Sequence, residues 1–175
     1  MEKLNKHVFM IGFMGVGKTS TSRALSRKLD VKEIDTDAMI VKQEGKEISE
    51  IFASDGEEYF RSTETNLLDK IAEMSPCIVS CGGGMVMRDE NVKKMKKQGK
   101  IVLLQATPET IYDHVKDSTN RPLLNGNMNI PYIKQLMDAR EPKYKAAADI
   151  IITTDGLNPS QVADEIIKEM RKYEK

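Results

Sequence analysis

The sequence contains no tryptophan, only two cysteines, and no surplus of either charge, since 27 Lys and Arg balance 27 Asp and Glu over 175 residues. Each shortage excludes something. A zero formal net charge argues against a dedicated nucleic-acid or membrane surface, both of which need excess positive charge. The single basic cluster, Lys93-Lys94-Met95-Lys96-Lys97, falls late in an expected helix, where cations suit the dipole and face solvent. Cys77 and Cys81 lie four apart, too close for an ordinary disulfide within a strand and without further ligands for zinc, so they read as small core residues. No apolar run approaches the ~20 residues of a membrane span. Met1 to Lys6 does not lead into a secretory pattern, so a cytoplasmic location is expected. Internal repeats, linkers and low-complexity segments are also missing.

Against these absences stands one strong motif. Gly12-Phe13-Met14-Gly15-Val16-Gly17-Lys18-Thr19 is a complete G-x-x-x-x-G-K-[ST] loop directly behind the apolar run Val8 to Ile11. A buried strand ends there, glycines let the backbone curl around a phosphate, and a helix begins with its N–H groups facing the anion. Gly15, Val16, Gly17, Lys18, Thr19 and Ser20 are therefore the expected ATP-binding residues. Lys18 supplies a mobile charge and Thr19 a hydroxyl for Mg²⁺.

The rest of the chain alternates short apolar runs with helical stretches. His7–Ile11, Cys77–Ser80, Ile101–Leu104 and Asp149–Thr153 read as strands, and Leu29–Ile34 carries a short further one, which makes five. Their continuous apolar character predicts burial on both faces. Helices between successive strands imply right-handed crossovers, a parallel sheet and an α/β fold. Helices are expected over Ser20–Leu29, Glu57–Met74 and Pro131–Ala139, with Pro142 ending or bending the last. Thr107-Pro108 and Asn158-Pro159 each place a capping side chain before a proline at the first helical position. Residues 37–54 are mixed helical sequence. Asp117 to Asn129 is polar with little apolar surface to hold it, and it carries Arg121, as a lid closing over phosphates would.

Phosphoryl transfer asks mainly for charge neutralisation and in-line positioning. Lys18, Mg²⁺ and Arg121 would supply the positive charge. In open parallel sheets ligands collect beyond the carboxyl ends of the strands, which selects Asp35 and Asp37 after strand two and Gly82-Gly83-Gly84 after strand three. Asp37 can accept a proton from an acceptor hydroxyl and Asp35 can reach the magnesium hydration shell, although either could instead cap the following helix. Three successive glycines suit a backbone that must approach a ligand closely, or a tight turn. Arg61 can pair with Glu57, Glu58 or Glu64 on its own helix. Arg61 and Arg140 opposite a polar pocket would suit a carboxylate, which guanidinium binds in a fork.

Gly12 to Thr19, Asp35-Thr36-Asp37, Gly56-Glu57-x-x-Phe60-Arg61-x-x-Glu64, the triglycine, Arg121-Pro122-Leu123-Leu124 and Arg140-x-x-x-Tyr144 occur together in one order and spacing. On these motifs the sequence resembles the shikimate kinase family, small members of the nucleoside-monophosphate-kinase-like P-loop group. The resemblance implies a three-layer α/β/α fold of P-loop kinase type, with a five-stranded parallel sheet and a mobile lid. It implies one domain over residues 1–175, a substrate-binding excursion near 35–62 and a lid near 117–129. The implied reaction moves the γ-phosphate of ATP to the 3-hydroxyl of shikimate, in aromatic amino-acid biosynthesis. Lys18, Asp37 and Arg121 would be catalytic. Asp37, Arg61, Glu64, Gly82, Gly83, Gly84 and Arg140 would bind shikimate, with Glu64 positioning Arg61. Arg121, Asn158 and Pro159 would join the ATP site, and Thr19 and Asp35 would serve Mg²⁺. The expected partners are these small molecules only, and a monomer is expected. One departure stands out: where many members carry an adenine-stacking arginine, seven residues before Arg121, this chain has His114, which reads as a helix-surface residue.

Two rivals remain open on the sequence. One is a kinase for another small hydroxylated acceptor such as gluconate or a nucleoside monophosphate. The other is a nucleotide-binding regulatory module without catalysis. A GTPase switch is disfavoured by the lack of an Asn-Lys-x-Asp motif.

Overall fold

The computed structural model describes residues 3–116 and 128–173. Five strands, β1 (His7–Ile11), β2 (Glu33–Asp35), β3 (Ile78–Ser80), β4 (Gly99–Gln105) and β5 (Ile150–Thr153), form one sheet in the order β2-β3-β1-β4-β5. Every pairing is parallel. Eight helices are described: α1 (Lys18–Leu29), α2 (Thr36–Glu44), α3 (Ile48–Asp55), α4 (Glu57–Ala72), α5 (Asp89–Gln98), α6 (Pro108–Val115), α7 (Ile130–Ala147) and α8 (Pro159–Tyr173). Helices α1 and α8 pack on each other, while α4 packs on α5, which lies on β4 beside α7, so helices sheathe the sheet in two groups. The α/β expectation and the parallel sheet are borne out.

The apolar runs are the strands because the sheet's centre is dry. All five residues of β1 are buried, and Phe9, Met10, Ile78, Val79, Ile101 and Val102 form the middle of the core. The expected continuous burial fails at both edge strands: the three residues of β2 are only partly buried, and β5 alternates. In β5 Ile150 and Ile152 are buried, but Ile151 is 45% exposed. β5 is an edge strand, so one of its faces is only partly covered and its isoleucines alternate as in a half-buried strand.

Strand order places β1 between β3 and β4, so the chain leaves β1 on one side and returns on the other. This is the crevice where parallel sheets take ligands. The phosphate loop follows β1, Asp35 and Asp37 follow β2, and the triglycine follows β3. All three open at the same end of the sheet.

Several helix signals hold in detail. The Asn158 side chain accepts from the Gln161 amide at 2.9 Å while the Gln161 side chain accepts from the Asn158 amide at 2.9 Å, a reciprocal capping box at the start of α8. Thr107 caps α6. The lysine-rich stretch lies on α5, with Met95 buried and Lys94 paired to Asp69 at 2.9 Å. The short second strand expected within Leu29–Ile34 lies at Glu33–Asp35, because α1 runs to Leu29 and Asp30 turns the chain at φ 52°. Residues 37–54 resolve into most of α2 and of α3. Pro142 does not end α7, which continues to Ala147. Its missing N–H and ring cost the helix about 3 kcal/mol. Buried Tyr144 and Ala147 beyond it supply the packing that holds the last turn in place. Asn129, the expected last lid residue, instead caps α7 by accepting from the Tyr132 amide at 2.9 Å. The lid residues 117–127, Arg121 among them, lie outside the described residues.

Strands β1 and β4 approach so closely at their starts that a Cβ on Gly99 would stand 1.9 Å from the His7 carbonyl oxygen. That neighbour is backbone in the sheet's centre and cannot rotate away. Gly99→Ala should cost about 3 kcal/mol, the upper end of overpacking penalties. The measurement is a denaturant midpoint that falls with an unchanged m-value; an unaltered midpoint would contradict the packing described.

Candidate active site

The donor side is built by backbone. Gly12 and the bend after it let the chain turn off β1, and Val16 N–H closes a turn onto the Phe13 carbonyl at 3.2 Å. Gly15 stands at that turn's third position with φ +80°, and a Cβ there would meet the Val115 Cγ1 at 2.5 Å. Only glycine takes both the left-handed angle and the close approach of α6. Lys18 Nζ reaches back to donate to the Gly12 carbonyl at 2.5 Å and the Phe13 carbonyl at 3.3 Å, which lays its charge along the loop. Thr19 and Ser20 are exposed at the start of α1. The first-turn amides of that helix are anion-binding donors.

The other side of the crevice is built around the triglycine, and the structure explains each glycine by what crowds it. A Cβ on Gly82 would lie 2.6 Å from Asp37 Oδ1 and 3.2 Å from Glu64 Oε2. On Gly83 it would lie 3.0 Å from Arg140 Nη1, and on Gly84 2.5 Å from Arg61 Nη1. Asp37 from α2, Arg61 and Glu64 from α4, and Arg140 from α7 thus converge on one strip of bare backbone. The strip is itself held. Gly82 N–H donates to Thr36 Oγ1 at 2.9 Å, and the Gly83 carbonyl accepts from the Tyr144 hydroxyl at 2.7 Å. The carbonyls of Gly82 and Gly84 accept from the amides of Met85 and Met87. Among the described residues the amides of Gly83 and Gly84 make no hydrogen bond, so they remain as donors beside the two arginines.

Arg61 is locked before any ligand arrives. Its Nη1 donates to Glu64 Oε1 at 2.7 Å, its Nε lies 3.7 Å from Glu57 Oε1, and its guanidinium sits 5.3 Å from the Phe60 ring centre. Of the three partners expected on α4, Glu58 goes instead to Arg88. Glu64 is buried at 1% exposure, and its second oxygen, Oε2, has no partner among the described residues.

Charge in this chamber is out of its ordinary balance. Burial pushes the Asp37 carboxyl above the usual carboxylate range and the negative charge of Asp35 adds to the push, against the opposing pull of Lys18 and Arg61. Burial also pushes Glu64 up, although Arg61 pulls it down. Burial raises the Tyr144 hydroxyl and the Cys77 thiol as well. It drives the Cys81 thiol far up. Both cysteines are free and buried, which fits the core reading. Asp35 caps α2 by accepting from the Ala38 amide at 3.0 Å, so the capping alternative is realised for it.

A dedicated metal cage is not formed: among the described residues no group of three or more His, Cys, Asp and Glu could hold an ion. The donor set of the Thr19 hydroxyl and one or two carboxylates fits a magnesium ion that travels with a nucleotide, because Mg²⁺ keeps several waters and phosphate oxygens.

Three participants carried no role in the sequence reading. Thr36 was hidden between two aspartates. Tyr144 lies four residues after Arg140, the helical spacing that puts both on one face of α7, and that spacing was available as a signal. His114 lies on the last turn of α6 and is exposed, as expected, but it is not a bystander: its Nδ1 stands 2.6 Å from the Gly15 carbonyl oxygen. Asn158 and Pro159 begin α8, on the loop that follows β5.

A phosphate loop at the switch point of a parallel sheet, facing a charged chamber on the neighbouring strand ends, defines a P-loop kinase that acts on small molecules. The comparisons with known proteins narrow the class. Residues 14–171 match the family model described as shikimate kinase. The shikimate kinase of Thermodesulfovibrio yellowstonii is 42% identical over 167 residues, covering 95% of this chain and 96% of that protein. The crystal structure of shikimate kinase from Aquifex aeolicus is 33% identical with a TM-score of 0.82, covering 95% of this chain and 97% of that one. Shikimate kinase from Acinetobacter baumannii, solved in complex with shikimate, has a TM-score of 0.89 at 27% identity and covers 96% of this chain and 94% of that one. The chain belongs to the shikimate kinase family, whose members are ATP-dependent phosphotransferases.

The raised carboxyl of Asp37 gives a pH signature. A folded-state value above the unfolded one contributes stability that is full in acid, below the unfolded value of about 4, and is lost as pH rises through the folded value. Asp37→Asn removes that loss. The variant should melt above the wild type at neutral pH, with the gap closing in acid, when thermal midpoints are compared across a pH series. A variant that melts lower at neutral pH would contradict the burial-dominated electrostatics.

Proposed function

We propose that the chain transfers the γ-phosphate of ATP to the 3-hydroxyl of shikimate, giving shikimate 3-phosphate and ADP. The observation that carries this reading is the convergence of Asp37, Arg61 and Arg140 on the triglycine backbone, one strand away from the phosphate loop. A carboxylate base and a two-arginine, two-amide cradle at opposite ends of one strip match an acceptor with hydroxyls at one end and a carboxylate at the other. Gluconate also carries both groups, but family membership favours shikimate. A nucleoside monophosphate would place a phosphate and a base where this chamber offers a carboxylate.

In this reading the loop amides and Lys18 hold the β- and γ-phosphates, and Arg121 would share the charge that develops on the transferring group. The Thr19 hydroxyl, and Asp35 through water, would hold a magnesium ion, which would supply neutralisation of the phosphate oxygens when bound. Arg61, braced by Glu64, and Arg140 clamp the acceptor carboxylate, together with the free glycine amides. That clamp points the 3-hydroxyl at Asp37. Asp37 takes the hydroxyl proton as the oxygen bonds to the γ-phosphorus and the bond to the β-phosphate oxygen breaks. Its raised affinity for a proton suits this task near neutral pH better than an ordinary carboxylate would. Asn158 and Pro159 border the adenine. The proposal includes one working unit over residues 1–175, with 35–62 as the acceptor-binding part, a monomer, and cytoplasmic residence. No helix among the described residues is long and apolar enough to cross a membrane.

The direct test is release of ADP in a coupled assay with shikimate, gluconate and nucleoside monophosphates as acceptors; turnover of either rival acceptor and none of shikimate overturns the reading. Asp37→Asn should cut turnover by at least about 100-fold, the scale of general base catalysis, with ATP binding nearly kept. Arg140→Ala should weaken shikimate binding by about 1.5–3 kcal/mol, the value of a charged hydrogen bond, and leave ATP affinity in place. Loss of ATP binding in Arg140→Ala, with shikimate affinity spared, would put the carboxylate elsewhere.

A further inference from the structure

Helix α6 is tied down at both ends, and by polar groups rather than by its core face alone. At its start, Asp155 on the loop after β5 accepts from the Thr107 amide at 3.2 Å, the Thr107 hydroxyl at 3.0 Å and the Thr110 hydroxyl at 2.5 Å. At its end, His114 Nδ1 lies 2.6 Å from the Gly15 carbonyl oxygen. A carbonyl only accepts, so Nδ1 carries the proton and donates. The two ties join α6 to the two backbone segments that the P-loop reading gives to the nucleotide: the phosphate loop, and the loop that leads to Asn158. Val115 and Ile111 fill the adjoining core, with Val115 already in contact range of the Gly15 backbone. His114 is exposed and adds nothing to that core.

We propose that His114 is a positioning residue for ATP: its Nδ1–H holds the Gly15 carbonyl outward and so fixes the apex of the phosphate loop in its nucleotide-accepting shape. The inference rests on the reading of Gly12 to Thr19 as the ATP site. An exposed hydrogen bond contributes little to global folding, since surface substitutions away from special features change stability only slightly. It acts on the loop. Gly15 has no side chain of its own to pack, and its turn is closed by one 3.2 Å bond from Val16 to Phe13, so a tether at the apex removes freedom that ATP would otherwise have to remove on binding.

Three substitutions separate this tether from other roles. His114→Ala removes the donor and the ring. His114→Phe keeps a flat ring and removes the donor. His114→Asn places an amide nitrogen at the same number of bonds from Cα as Nδ1 and keeps the donor. ATP Kd by calorimetry, KM for each substrate, kcat and the thermal midpoint are measured for all three and the wild type. Ala and Phe should weaken ATP binding and raise its KM about three- to tenfold, the range of one hydrogen bond, with shikimate KM and thermal midpoint unchanged. Asn should return ATP binding to within about twofold of wild type. A Phe variant that binds ATP as wild type does, or an Asn variant no better than Ala, overturns the tether. So does a joint fall in midpoint and in affinity for both substrates, which marks a merely structural contact. If the wild type does not phosphorylate shikimate, the proposed function fails, while the ATP Kd series still decides the role of His114.

Discussion

Groups of both charge signs cannot be brought within contact of one another and of a substrate unless the wall between them takes up almost no room and offers polar atoms. Side chains fail on the first count and apolar residues on the second. Residues 82–84 satisfy both, because each missing Cβ is space already taken by Asp37, Arg140 or Arg61. The rest of the molecule is arranged around that strip. Strand β3 delivers it next to β1, Thr36 and Tyr144 hold it at Gly82 and Gly83, and three helices aim charge at it. The cost is visible in the electrostatics, where Asp37 and Glu64 both hold protons more tightly than exposed carboxylates do.

Rigidity is distributed unevenly about this centre. The groups around the triglycine are braced before any ligand binds: Arg61 by Glu64 and Glu57, Tyr144 by the Gly83 carbonyl. The donor side relies on backbone geometry and a few polar ties, with Lys18 bonded to the loop's own carbonyls. Under the proposed function such a division would let the fixed half orient the acceptor hydroxyl while the other half adapts to the nucleotide. Because α7 continues through Pro142, Arg140 and Tyr144 both reach Gly83 of the triglycine.

Much of this was legible in the residues themselves. The phosphate loop was clear because its letters, the strand before it and the helix after it all state one requirement. Four of the five strands were placed well because core strands are apolar throughout. What the sequence could not convey came from contacts between distant parts of the chain. Ile150-Ile151-Ile152 reads as doubly buried, and only the strand's place at the edge of the sheet exposes Ile151. Pro142 reads as ending or bending its helix, and the packing of Tyr144 and Ala147 goes with a helix that does not end there. His114 reads as a surface residue, and only the turn at Gly15 makes it a partner. Asp35 and Asp37 were singled out together, yet which of them would cap α2 depended on backbone angles at the end of β2.

The ordering of strands has a further effect, away from the chemistry. A parallel sheet that is not closed into a barrel leaves two rows of unpaired backbone groups, and such rows recruit other chains into fibrous or swapped assemblies. Here the open rows belong to β2 and β5, which are only 3 and 4 residues long, while the 7-residue β4 is shut inside. An intruding strand would find a template of a few residues, too few to offset the entropy of lining up on it. The half-exposed Ile151 on that margin is therefore tolerable: colloidal safety comes from the shortness of the borders, and the sheet's length is spent where neighbours already flank it.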